Sequence, residues 1–139
     1  MWRQAGLLAI VVGVLAAPAA AGAPPSTVKG TVKDTGSTSR LITIVNGSTQ
    51  SYPGLFINST DNPKITAASD KACKMGTSPW SQGGKNHVDY WANCSTAVAA
   101  GKTLTITLTT SGSGPIYISV ETATKSNPHG LQYQIGTGS

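Results

Sequence analysis

The sequence predicts an all-β chain, an antiparallel sandwich of seven to eight short strands carrying one disulfide. Three observations point there. Runs rich in Thr, Val and Ile recur at intervals of roughly 8 to 14 residues, each bounded by Gly, Pro, Asn, Asp or Ser. Several of these runs alternate apolar with polar residues, the period of a strand with one buried face. Only Cys73 and Cys94 occur in the 139 residues, so in an oxidising compartment they have each other to pair with.

The compartment is read from the first residues. Arg3 precedes an uncharged apolar run from Ala5 to Ala17, followed by Pro18 and the small residues Ala19, Ala20 and Ala21. That order is the three-part pattern of a secretory signal peptide. Residues 1–21 are predicted to be a leader cut after Ala21, leaving 22–139 as a single domain. The apolar run is too short to span a membrane, and no cysteine follows the cut to carry a lipid. The predicted destination is the periplasm or the medium, with no membrane span.

The elements follow in order. Pro24 and Pro25 give an extended start, and Thr27 to Lys33 reads as a first, edge strand. Ser39 to Val45 is dense enough in Leu41, Ile42, Ile44 and Val45 to be a buried strand, ended by Asn46-Gly47-Ser48. Leu55 to Asn58 follows Pro53-Gly54, and Lys64 to Ala68 follows Asp61-Asn62-Pro63, so turn chemistry brackets both. Lys74 to Asn86 carries Gly76, Pro79, Gly83 and Gly84 around Trp80 and reads as a loop. In His87 to Cys94, the residues Val88, Tyr90, Ala92 and Cys94 share one parity, and His87, Asp89, Trp91 and Asn93 the other. If Cys94 points inward, the second set points out. Thr103 to Thr109 alternates Leu104, Ile106 and Leu108 with threonines, and Ile116, Ile118 and Val120 alternate with Tyr117, Ser119 and Glu121. Joined by Ser111 to Pro115, these two runs read as one half-buried hairpin. Leu131, Tyr133 and Ile135 mark a last strand, completing a sandwich of immunoglobulin-like size.

The run Ile42-Thr-Ile-Val-Asn46-Gly47-Ser, then Cys94, then Val98-Ala-Ala-Gly101-Lys-Thr-Leu-Thr-Ile-Thr-Leu, resembles the layout of bacterial immunoglobulin-like adhesion and cell-surface domains. The resemblance spans about half of the mature chain and implies a binding or spacer module outside the cell rather than an enzyme.

Composition narrows the chemistry. The formal net charge is +5; losing Arg3 with the leader leaves nine Lys and Arg against five Asp and Glu, or +4. The lysines are scattered without interleaved aromatics, so no nucleic-acid groove is indicated. Asp34, Asp61, Asp70, Asp89 and Glu121 lie in different turns and strands, which gives no carboxylate pair for glycoside hydrolysis. No Gly-x-Ser-x-Gly elbow occurs, and a His-Asp pair at i, i+2 arises readily by chance. His87 and His129 are far apart and no Cys-x-x-Cys occurs, so no cofactor or transition metal is predicted. Asn58 to Asn62 is rich in oxygens that suit Ca²⁺, and equally rich in ordinary turn formers.

One group of residues has a geometric argument for binding. His87, Asp89 and Trp91 stand in one outward row, about 6 to 7 Å apart in succession. A sugar would stack its apolar face on the indole and bond its hydroxyls to the polar neighbours, with Trp80 and Tyr52 extending the platform if the chain brings them close. The alternative is structural, with Trp91 packed under a loop or beside the disulfide. The expected role is an exported, non-catalytic structural or binding module whose partner is an extracellular glycan or protein. Two variants remain open: a small carbohydrate-binding protein, or a strand-exchanging fibre subunit, which would show as an unpaired sheet edge or as a segment from Gly22 to Lys33 that stays detached from its own domain.

Overall fold

Two antiparallel sheets face each other across an apolar core. The computed structural model describes residues 23–122 and 131–139; the leader expected over residues 1–21 and the cut expected after Ala21 lie outside the described residues. Nine strands follow along the described chain: β1 (Val28–Gly36), β2 (Ser39–Asn46), β3 (Gly54–Thr60), β4 (Lys64–Ala68), β5 (Cys73–Gln82), β6 (Lys85–Cys94), β7 (Thr103–Ser111), β8 (Ile116–Thr122) and β9 (Leu131–Gly138). One sheet has the order β1-β2-β7-β4 and the other β5-β6-β3-β8-β9.

Alternation decides what lies between the sheets. Ile42 and Ile44 of β2 and Ile106 and Leu108 of β7 meet Leu55 and Ile57 of β3 and Ile116, Ile118 and Val120 of β8, none more than 1% exposed. On β6, Ala92 and Cys94 are buried on the inner side, as the parity argument required. Asn46 closes β2 from within the core. Its side-chain amide donates to the carbonyls of Gln50 and Val98, and its oxygen accepts from Ser48, so this buried polar group is satisfied by the turn it starts.

The disulfide joins Cys73 and Cys94, which are direct partners in the β5–β6 register with Cα atoms 3.9 Å apart. It therefore fastens the edge strand β5 to its neighbour at the base of a hairpin.

Four expectations are corrected. Lys74 to Asn86 is not a loop: β5 and β6 pair without interruption from Cys73↔Cys94 to Gln82↔Lys85, with Gly83 and Gly84 at positive φ forming the turn. β5 tolerates its proline because it is an edge strand, where a missing N–H breaks no ladder on the open side. The runs at β7 and β8 do not pair with each other. Ser111 to Pro115 instead crosses from one sheet to the other, and both strands still turn their apolar residues into the same core. The strands number nine because the supposed loop supplies one of them. The segment from Val28 is also not detached, since β1 pairs with β2 from Val28↔Asn46 to Gly36↔Ser39.

Candidate functional site

The outer face of β5, β6 and β3 carries the candidate residues. Trp91 stands at its centre. Cross-strand partners are Gly76 on β5 and Asn58 on β3, and the absence of a side chain at Gly76 lets the indole lie down on the neighbouring strand. A Cβ built at Gly76 would fall 2.2 Å from Cζ2 of Trp91, so the ring occupies the space a side chain would need. Its Nε1 donates to the hydroxyl of Ser78 at 3.1 Å, and its ring centre lies 6.3 Å from that of Phe56 at an inclination of 26°. Trp91 is thus half-buried: one face rests on the sheet and the flanks open into a depression of about 270 Å³ lined by Phe56, Asn58, Ser78, Asp89, Trp91 and Asn93.

Several of these polar groups keep hydrogen-bonding capacity. Asp89 accepts from the Thr60 hydroxyl with Oδ1 at 2.7 Å, which leaves Oδ2 available. Ser78 serves the indole as an acceptor and retains its own proton to donate. The side-chain amides of Asn58 and Asn93 make no hydrogen bond to other described residues, and both face the depression.

A second aromatic station lies further along the hairpin. Trp80 and His87 are cross-strand partners whose rings stack with centres 4.4 Å apart at 29°. Trp80 remains 37% exposed. Nδ1 of His87 meets Oδ2 of Asp61 at 2.8 Å, and Oδ1 of Asp61 accepts from the Val88 backbone N–H at 3.0 Å. These two bonds, the His87 side chain first and the Val88 amide second, hold the Asp61 carboxyl below its ordinary pKa. Asp61 has φ of 63° and follows directly on β3, so the turn leaving β3 grips the hairpin where it passes beyond its neighbour.

Of the residues singled out from the sequence, His87, Asp89, Trp91 and Trp80 share this face. Tyr52 does not. It is 1% exposed and exchanges two backbone hydrogen bonds with Val98, which draws it into the core at the other end of β3. Asp61, the one carboxylate of the oxygen-rich turn, is engaged by His87 and Val88, and no cluster of three His, Cys, Asp or Glu side chains suited to a metal occurs among the described residues. Sequence reasoning places Asn93 in the outward parity of β6 but misses Phe56, Asn58 and Ser78, which pair with Asn93, Trp91 and Asp89. Their common parity becomes visible only when β3 and β5 are known to flank β6.

No family model matches the chain, and no curated protein matches it. Among solved structures it is similar to the chitin-binding domain ChBD2 of Thermococcus kodakarensis KOD1, at 19% identity and a TM-score of 0.43, covering 81% of this chain and 97% of that one. A likeness at that level speaks to neither ligand nor activity, so the geometry of the site has to carry the function.

Proposed function

We propose that this chain is a non-catalytic binding module acting in the periplasm or outside the cell, and that the outer face of β5, β6 and β3 takes a carbohydrate. One observation carries the reading. An indole laid flat on Gly76 is ringed by Asn58, Ser78, Asp89 and Asn93, each with hydrogen-bonding capacity left over. A sugar ring needs that combination: an apolar plate for its C–H face and converging donors and acceptors for its hydroxyls. The resemblance to immunoglobulin-like cell-surface modules belongs to the same reading, as does export by a leader removed after Ala21. Intact-mass measurement of the secreted protein tests the leader, and a mass that includes Met1 to Ala21 would refute it.

Binding is tested on two variants against a panel of insoluble and soluble polysaccharides. Trp91→Ala is expected to abolish retention, and Asn93→Ala to weaken it about tenfold, the scale of one hydrogen bond to a sugar hydroxyl in a partly desolvated site. Asn93 is exposed, so its replacement should leave the melting temperature in place and separate binding from folding. Full retention by both variants would sink the reading.

A further inference from the structure

Trp91 has a depression on either side, and the two differ in charge. The first, described above, contains Asp89. The second, of about 300 Å³, is lined by Ala72, Lys74 and Ser95 together with Trp91 and Asn93, which the two depressions share. The register sets this order: Lys74 pairs with Asn93, Gly76 with Trp91 and Ser78 with Asp89. Along the outer face the sequence of groups is therefore ammonium, indole, carboxylate. The acid close to Lys74 in the chain, Asp70, is already engaged, accepting from the Ala72 backbone N–H at 2.9 Å and from the Thr96 hydroxyl. Lys74 is exposed and makes no ion pair among the described residues.

A ligand that lies across Trp91 meets opposite fields at its two ends. An anionic group is repelled near Asp89 and attracted near Lys74. Resting on the carbohydrate reading above, we propose that the ligand is a glycan in which an acidic sugar adjoins a neutral one. The neutral ring stacks on Trp91 and offers hydroxyls to Asp89, and the carboxylate of the next sugar reaches Lys74. Selection works in both directions. A uniformly acidic chain places a carboxylate against Asp89, and a uniformly neutral chain leaves Lys74 without a partner.

Three ligands test this: the disaccharide unit of hyaluronan, one uronic acid joined to one neutral N-acetylated sugar, the same unit with its carboxyl group reduced to an alcohol, and polygalacturonate, in which every sugar is acidic. Affinities are measured at low and moderate salt, since an exposed charge contact weakens as salt rises. The hyaluronan unit is expected to bind about tenfold more tightly than its reduced form, as a charge-assisted hydrogen bond implies. Lys74→Gln should remove that preference, whereas Lys33→Gln, on β1 of the opposite sheet, should keep it. Asp89→Asn should raise polygalacturonate relative to the hyaluronan unit. Equal affinity for the hyaluronan unit and its reduced form, or equal losses in Lys74→Gln and Lys33→Gln, would overturn the proposal and leave the role of Trp91 standing. If none of these ligands and no neutral polysaccharide is bound, the carbohydrate reading falls and this inference falls with it.

Discussion

The indole of Trp91 and the hydrogen atom of Gly76 share one space, and that contact sets how the ring is presented. A methyl group at position 76 would lie 2.2 Å from Cζ2 and 2.5 Å from Cη2, distances no real contact sustains. The ring would have to lift from β5, losing its bond to Ser78 and its flat attitude. Gly76→Ala is expected to cost about 1 to 3 kcal/mol, the usual range for forcing extra volume into a packed site. Glycan retention should drop and the tryptophan emission should shift, while unchanged emission and unchanged retention would show that the seat on Gly76 is not what orients the ring. The outward direction of Trp91 was legible in the sequence because Cys94 fixed the inward parity of its strand. Phe56 and Asn58 were not, since Leu55, Phe56 and Ile57 form an unbroken apolar run that hides which residues face out. Tyr52 sits between Ser51 and Pro53 with no alternation around it, and a backbone bridge to distant Val98 decided its burial.

The β5–β6 hairpin is the element that builds the site, and its sequence conceals it. Gly76, Pro79, Gly83 and Gly84 are turn residues by composition, yet each has a place in a paired ribbon: a seat for Trp91, an edge position, and the turn itself. From Thr77 to Asn86 every residue is exposed, so little apolar burial holds this part of the ribbon. Two fasteners hold the hairpin, the Cys73–Cys94 bridge at its base and the Asp61 carboxylate at His87 and Val88, where it passes beyond β3. Because the Asp61 pKa is lowered in the fold, its contribution is present above the ordinary value of 3.8 and is lost as pH falls through the lower folded value. Asp61→Asn is expected to speed hydrogen exchange at the Val88 amide and lower the melting temperature near neutral pH. Below pH 3.8 the gap between the variant and the parent should close, as the parent carboxylate also takes up a proton. Glu121, whose pKa burial raises, adds a slope of opposite sign over its own range, so the difference between the two proteins isolates the clamp better than either curve alone. A gap that stays constant down to pH 2 would assign the effect to packing.

At the scale of the whole molecule, periodicity carried most of the fold, because strict alternation in β2, β7 and β8 fixes the face each residue takes. It left the partners open. Ser111 to Pro115 joins two alternating strands whether it turns within a sheet or steps across the roughly 10 Å between sheets, and the side-chain pattern is the same in both cases. Which side the sandwich closes on is equally absent from the hydrophobic pattern and is carried by glycines. β1 and β9 belong to different sheets yet come into backbone contact where Gly30 meets Gly136. A Cβ at Gly136 would lie 1.9 Å from the Gly30 carbonyl oxygen and 2.6 Å from its carbon, and main-chain atoms cannot swing aside as the end of a side chain can. Gly136→Ala must therefore push β1 and β9 apart, opening the core near Ile118, whose side chain packs against Gly30. The expected cost is about 2 kcal/mol or more, from overpacking at the contact and loosened packing behind it. Gly36→Ala is the matched control: it also lies on β1, a Cβ there meets nothing within 4 Å, and the change should stay within about 0.5 kcal/mol. Chemical denaturation of the two variants beside the parent decides the matter, and equal, small losses would mean that the close approach of β1 and β9 does not hold the sandwich shut.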